Sequence, residues 1–295
     1  MSGESFDNRN GKIWYNGKMV EWRDANLHLL SHGLHYGSSV FEGARAYNQN
    51  IFKLEAHTER LFFSANELGF EIPYNQEEIN QACQEVLNVN EISDGYLRPI
   101  AWRGSEMMGV SAQHSKINVA IAAWPWPSYF SPEARMKGIK LQIAKWKRPS
   151  AETEPVHAKA AGLYMICTLS KHTAEEGGYD DALMLDYRGQ IAEATGANIF
   201  FVMGDGKLHT PTPDCFLNGI TRQTVISLAN KRGIEVIERK IMPNELSQVT
   251  EVFLTGTAAE VTPVSKILEN NYKVCNLILD LSASYEKLVR KKKAA

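Results

Sequence analysis

The chain has 295 residues, 44% hydrophobic and 22% charged, which suffices for an ordinary buried core and argues against disorder. Thirty-two Lys and Arg stand against 34 Asp and Glu, a formal net charge of −2, so global charge points to neither a nucleic acid nor a membrane surface as partner. Its most apolar stretch, Val119–Trp124, runs into Pro125 and falls far short of the roughly 20 apolar residues of a membrane span.

The polar, acidic start Ser2-Gly3-Glu4-Ser5-Phe6-Asp7 carries no signal-peptide core. Cys83, Cys167, Cys215 and Cys275 are widely spaced with no C-x-x-C pair, so a reduced, cytoplasmic protein without a metal motif is expected. Ile13-Trp14-Tyr15 and Lys18-Met19-Val20-Glu21 flank Asn16-Gly17, which predicts a hairpin. Ser31–Tyr47 reads as strand and turn around a site. Leu54, Leu61, Ala65 and Leu68 form a helical stripe ended by Gly69 and Pro73, and Glu77–Val89 is a second helix. Tyr96–Trp102 and Ile117–Trp124 read as strands.

The proline cluster Pro125-Trp126-Pro127-Ser128-Tyr129-Phe130-Ser131-Pro132 predicts a linker. The expected organisation is a domain over 1–124, a linker over 125–136 and a second domain over 137–295. In the second, strands are expected at Ile139–Ala144, Asp181–Leu185, Ile199–Val202, Lys207–His209, Ile234–Glu238 and Val252–Thr255. Helices are expected at Gly162–Glu176, Ile220–Lys231 and the end of the chain. Short strands joined by tight turns predict an α+β fold rather than a doubly wound parallel sheet.

Lys159 is the only charged residue between Ala158 and Leu169. Apolar surroundings disfavour the ammonium form, and a neutral amine is what a Schiff-base lysine needs; the alternative is a lysine that carries its charge out to water. Glu193 is equally isolated between Arg188 and Asp205, and an acid in an apolar strand needs a partner unless it lies on an exposed edge. Asn218-Gly219-Ile220-Thr221-Arg222 opens a helix, whose N-terminal N–H groups suit a phosphate. Thr255-Gly256-Thr257-Ala258-Ala259 is a second small-residue turn able to present N–H groups. Arg60 lies at the edge of the Leu54–Leu68 stripe, as a solvated residue or a phosphate ligand. His32, His35 and His57 fit no metal pattern and read as packing or hydrogen-bonding residues.

Five segments occur in order: Leu34-His35-Tyr36-Gly37-Ser38-Ser39-Val40-Phe41-Glu42-Gly43, Ala158-Lys159-Ala160-Ala161-Gly162-Leu163-Tyr164, Glu193-Ala194-Thr195-Gly196-Ala197-Asn198, Gly219-Ile220-Thr221-Arg222 and Thr255-Gly256-Thr257-Ala258-Ala259-Glu260. From about Ile13 to Ile267 the sequence resembles the branched-chain amino acid aminotransferases of the fold-type IV pyridoxal phosphate enzymes. The resemblance implies two α/β subdomains joined by a short loop, with the cofactor site between them. It implies that Lys159 forms the Schiff base with pyridoxal 5′-phosphate, that Glu193 pairs with the ring nitrogen and that Tyr164 bonds the phenolic oxygen. Arg60, Ile220, Thr221 and Thr257 would hold the phosphate.

On the substrate side the resemblance implies a pocket of Tyr36, Phe41, Trp126, Tyr129 and Tyr164, with Val110 arriving from a second subunit of a homodimer. Thr257 and Ala258 would bind the α-carboxylate, and Tyr96 and Arg98 the distal carboxylate of glutamate. The implied reaction is reversible transamination of Leu, Ile and Val with 2-oxoglutarate, giving 2-oxo acids and glutamate in a ping-pong sequence. Leu163 and Ala197 depart from the family pattern, standing where many relatives carry Asn and Glu. Two alternatives remain open on sequence: a D-amino acid aminotransferase or aminodeoxychorismate lyase of the same fold, and a binding protein using the basic tail Arg290–Lys293. The Val40–Gly43 and Tyr96–Pro99 stretches favour the branched-chain type.

Overall fold

Asn16 and Gly17 take positive φ (49° and 87°) in the computed structural model, which describes residues 5–126 and 137–291. That conformation lets a two-residue turn join strands that twist the right way, and β1 (Lys12–Tyr15) pairs with β2 (Lys18–Glu21) as the sequence predicts. Of the expected linker, residues 127–136 lie outside the described residues, and Tyr129 with them. No helix among the described residues is long and apolar enough to cross a membrane.

The chain forms two units. Among the described residues, the first comprises 5–126 and Ala158–Gly162, and the second 137–157 and 163–291. In the first unit the stretch Ser31–Tyr47 is not all strand and turn. It begins with a short helix, α1 (His32–Tyr36), closed by Gly37 in the left-handed conformation (φ 64°), a position glycine occupies without a Cβ penalty. Then come β3 (Ser39–Phe41), β4 (Ala44–Tyr47) and β5 (Asn50–Ile51). Helix α2 (Leu54–Glu67) gives way to Gly69 at positive φ, and α3 (Gln76–Val89) starts on a capping box. There the Asn75 side chain accepts the Glu78 N–H while the Glu78 carboxylate accepts the Asn75 N–H.

With β6 (Gly95–Arg103) and β7 (Ile117–Pro125), a seven-stranded antiparallel sheet runs β2-β1-β7-β6-β4-β5, and β3 pairs with β6 beside β4. Side chains alternate along β6. Leu97 and Ala101 enter the core with Leu61, Ile79, Val86 and Ile121, and Arg98, Ile100 and Trp102 line a cavity of about 520 Å³. Leu97 is fully buried. Leu97→Ala is expected to cost about 2–5 kcal/mol of stability, since the site can only partly collapse; urea unfolding of the variant measures it.

β3 and β4 both use one edge of β6. Phe41 opposes Ile100 and Ala44 opposes Leu97, so Glu42 and Gly43 fall in the break, across from Arg98 and Pro99. Pro99 has no N–H to give a continuous ladder, and the Glu42 N–H donates to the Pro99 carbonyl (2.8 Å).

In the second unit, β8 (Ile139–Ile143) leads to a 3-10 turn, Ala161–Tyr164, which begins in the first unit, and to α4 (Met165–Glu176), so the helix expected from Gly162 becomes α-helical only at Met165. There follow β9 (Asp181–Leu185), β10 (Ile191–Ala194), β11 (Asn198–Met203) and β12 (Leu208–Pro211). After α5 (Ile220–Lys231) come β13 (Val236–Arg239), β14 (Val249–Gly256), β15 (Glu260–Ile267), β16 (Asn270–Asn271) and the closing α6 (Asn276–Val289).

The sheet order is β10-β9-β8-β15-β14-β11-β12-β13, with β16 on β15. Among the described strands of this sheet only β8 with β9, β8 with β15 and β12 with β13 are parallel, which matches the α+β expectation. Helices α5 and α6 pack on each other, α5 against β14 and α6 against β15. Leu141, Ile199, Phe201, Leu254 and Val264 fill one core cluster, and Phe200 stacks on Phe253 with ring centroids 5.0 Å apart.

Candidate active site

The segment carrying Lys159 is held by its backbone on both sides. Val40 and Ala160 form an antiparallel bridge, the Phe41 N–H donates to the Lys159 carbonyl (3.1 Å), and the Lys159 N–H donates to Ser64 Oγ (2.9 Å). Lys159 Nζ lies 4.8 Å from the centroid of the Phe41 ring. Burial pushes the ammonium pKa down, and the Arg60 charge pushes the same way against the opposing pull of Glu42. The lowered pKa expected from the sequence is therefore present, and its causes are spatial as well as local.

Glu42, set in the break between β3 and β4, is completely buried. Arg60 grips it with two bonds, Nε to Oε1 at 2.6 Å and Nη2 to Oε2 at 2.9 Å. His57 Nδ1 is 2.7 Å from Oε2. Burial would raise the Glu42 carboxyl, but Arg60 and His57 outweigh it and hold the pKa well below the usual carboxylate range. Burial lowers the His57 pKa despite the Glu42 contact, and against a carboxylate oxygen Nδ1 is the donor. His57, Arg60 and Ser64 sit at three- and four-residue spacings on α2, one face of the helix. Arg60 is thus neither simply solvated nor simply turned to a ligand.

On the cavity side of β6, Arg98 Nη2 donates to the Tyr96 hydroxyl (3.3 Å), and its guanidinium carbon lies 4.8 Å from the Phe41 ring centroid and 5.4 Å from that of Tyr96. Arg98 Nε is buried with no hydrogen-bond partner. Gly43 is required beside them, because a Cβ there would overlap the Tyr96 hydroxyl. Trp126 packs on Tyr96 with centroids 5.6 Å apart. The first unit so gathers Lys159, Arg60, Phe41, Tyr96, Arg98 and Trp126. Tyr36, stacked on His32, and Val110 are exposed, Val110 at 86%.

In the second unit Glu193 stands on β10. Its Oε1 is 3.4 Å from Arg148 Nε, and its Oε2 accepts from Asn198 Nδ2 (3.3 Å). Arg148 is buried. Burial would lower its pKa, but the Glu193 carboxylate more than offsets this and the pKa is raised. Asn198 also donates to the Leu217 carbonyl (2.9 Å) and accepts the Gly219 N–H (3.2 Å), which ties the acid to the start of α5. A Cβ at Gly219 would collide with the Asn198 side chain. Gly219 supplies no side-chain cap, so the first N–H groups of α5, at Ile220 and Thr221, remain for a ligand oxygen.

Thr257 and Ala258 lie in the turn joining β14 to β15, closed by the Gly256–Glu260 pair. The nearby Thr255 Oγ1 is buried without a hydrogen-bond partner. Tyr164 ends the 3-10 turn and lines a cavity of about 400 Å³ with Thr195, Gly196 and Ala258. Of the two departures from the family pattern, the Leu163 carbonyl accepts Arg148 Nη1 (3.5 Å), and Ala197 is small enough to lie against Gly256.

Sequence reasoning gives no role to Glu42, Arg148 or Asn198, and reads His57 only as a packing or hydrogen-bonding residue. Glu42 carries the same charge isolation that marks Lys159 and Glu193, with no other acid or base between His35 and Arg45.

A family profile described as amino-transferase class IV matches residues 39–267. The branched-chain-amino-acid aminotransferase of Pseudomonas aeruginosa is 43% identical over 267 residues, covering 89% of this chain and 87% of that protein. A branched-chain aminotransferase from Thermoproteus uzoniensis, solved with norvaline, superposes with a TM-score of 0.91 at 35% identity, covering 96% of this chain and 95% of that one. The branched-chain amino acid aminotransferase of Thermobaculum terrenum, solved as the PLP-bound holo form, gives 0.87 at 31% identity with the same coverage.

Proposed function

We infer, from the premise that this chain belongs to the class IV aminotransferases, that it transaminates branched-chain L-amino acids with pyridoxal 5′-phosphate as cofactor. The observation that carries the reading is a lysine of lowered pKa set beside an aromatic–arginine surface, Phe41, Tyr96 and Arg98. The residues fit the cofactor. Lys159 can present a neutral amine to its aldehyde carbon, and Glu193, backed by Arg148, suits a ring N–H. The uncapped start of α5 and the orphaned Thr255 hydroxyl suit a phosphate. When bound, the cofactor supplies an electron-withdrawing ring that stabilises charge at the substrate α-carbon.

The chain's own groups then have the following roles. Lys159 Nζ would take the proton from the substrate α-carbon as general base and deliver it to the C4′ carbon of the bound cofactor as general acid. Glu193 holds a proton at the ring nitrogen, with Arg148 and Asn198 fixing its carboxylate. Tyr164 bonds the phenolic oxygen, and Arg60, Ile220, Thr221 and Thr257 bind phosphate oxygens. Thr257 and Ala258 N–H groups bind the α-carboxylate. Phe41, Tyr36, Trp126 and Tyr164 bind an aliphatic side chain, and Val110, at 86% exposure, completes the pocket of a partner subunit in a cytoplasmic homodimer. 2-Oxoglutarate takes the amine in the second half-reaction.

Arg98 tests the dual recognition. Leucine relies on apolar walls, whereas glutamate reaches the guanidinium. A charge-assisted bond is worth about 1.5–3 kcal/mol, so Arg98→Ala is expected to lower kcat/KM for glutamate and 2-oxoglutarate by roughly ten- to a hundredfold. The leucine half-reaction should fall much less. Single-turnover spectra with each substrate alone separate the halves; equal losses would mean that Arg98 shapes the site without reading the distal carboxylate. Turnover of L-leucine, with none of D-alanine or aminodeoxychorismate, tests the activity itself.

A further inference from the structure

We propose that Glu42 is a positioning residue that fixes Arg60 so that the far edge of its guanidinium, and not a freely turning side chain, meets the cofactor phosphate. The inference rests on the reading of Arg60 as a phosphate ligand.

Glu42 takes up one edge of the guanidinium, through Nε and Nη2. This bidentate contact fixes the plane of the group and with it the direction of the far edge, which carries Nη1. The grip is itself fixed. The Glu42 backbone is anchored to Pro99, and its side chain also accepts from His57 and from the Gly43 N–H (3.2 Å). His57 and Arg60 share one face of α2, one turn apart, so the helix and the strand break are locked together by one carboxylate.

A buried carboxylate is costly unless paired and hydrogen-bonded, and this one is supplied with donors on both oxygens. It also balances the Arg60 charge beside Lys159, where the two act in opposite directions. An arginine held in one orientation loses less conformational freedom when an anion binds, which is the gain from preorganisation.

The discriminating measurement compares two ligands that differ only by the phosphate. Full-length protein stripped of cofactor is titrated with pyridoxal 5′-phosphate and, separately, with pyridoxal. Glu42→Gln keeps the side-chain shape but loses the charge and one acceptor. It is expected to weaken pyridoxal 5′-phosphate binding about ten- to a hundredfold, the range of a lost charge-assisted contact, while pyridoxal binding stays within about threefold. Arg60→Gln should show the same selective loss.

Equal weakening toward both ligands would overturn the proposal, since it would assign Glu42 to general packing. It is also overturned if Arg60→Gln loses the selectivity and Glu42→Gln keeps it, an outcome that leaves the Arg60 reading intact. If neither variant alters the selectivity, the Arg60 reading fails and takes the proposal with it. Should Glu42→Gln not fold, Glu42→Asp serves in its place. It keeps the charge but draws the carboxylate back from Arg60, and the same selective loss is expected.

Discussion

Lys159→Ala is expected to fold normally and to lose transamination by about three orders of magnitude or more, because one amine both binds the cofactor and moves the α-proton. The fold should survive because the local contacts use the lysine backbone. Its N–H meets Ser64 Oγ, its carbonyl meets the Phe41 N–H, and Ala160 bridges Val40. An alanine keeps all three. The variant should still take up cofactor weakly through phosphate contacts made by other residues. Steady-state assay with L-leucine and 2-oxoglutarate reads the first part, and equilibrium dialysis the second. Near wild-type turnover would remove Lys159 from the chemistry.

Glu193→Gln is the second large effect, with kcat falling about 10²–10³-fold, the size seen when one preorganised electrostatic group is lost. The glutamine keeps one oxygen, which can still accept from Asn198 Nδ2 (3.3 Å), while its NH2 group replaces the oxygen that lies 3.4 Å from Arg148 Nε. Shape is therefore retained, and the change removes the charge and one acceptor. An uncharged amide no longer favours a protonated ring nitrogen, and the ring becomes a poorer electron sink. The kcat loss should come with a shifted visible absorption band of the bound cofactor. An unchanged kcat and spectrum would sink the pairing of Glu193 with the ring.

Local rules reach a good part of this protein. The Asn16-Gly17 turn, the α2 stripe and the isolation of Lys159 depend on residues close in sequence, where propensity and periodicity act. β15 escapes them, because Pro263 and the polar residues around it blur the strand pattern. The structure accommodates Pro263 just before the register with β8 begins at Val264, so its missing N–H is not demanded on that side. Arg148 is hidden differently. It follows Lys145, Trp146 and Lys147 and reads as one more surface cation, yet it turns inward and is buried. Its distant partners Glu193, Leu163 and Cys167 explain that, and no local rule pairs residues so far apart. Glu42, by contrast, is within reach of the charge-isolation argument.

Ala158–Gly162 joins the first unit although residues 137–157 have by then entered the second. This ordering has a consequence for biosynthesis. Domains tend to fold as they emerge during translation, at about 5–20 residues per second. β3 therefore leaves the ribosome seconds before the segment that bridges Val40. A nascent chain can assemble the first sheet and still lack its amine. Polypeptides cut short before residue 158, whether by stalled messages or by proteolysis, would carry the aromatic–arginine surface and the Glu42 grip but no nucleophile. The amine arrives only with residues 158–162, so products that end before them lack the nucleophile by construction.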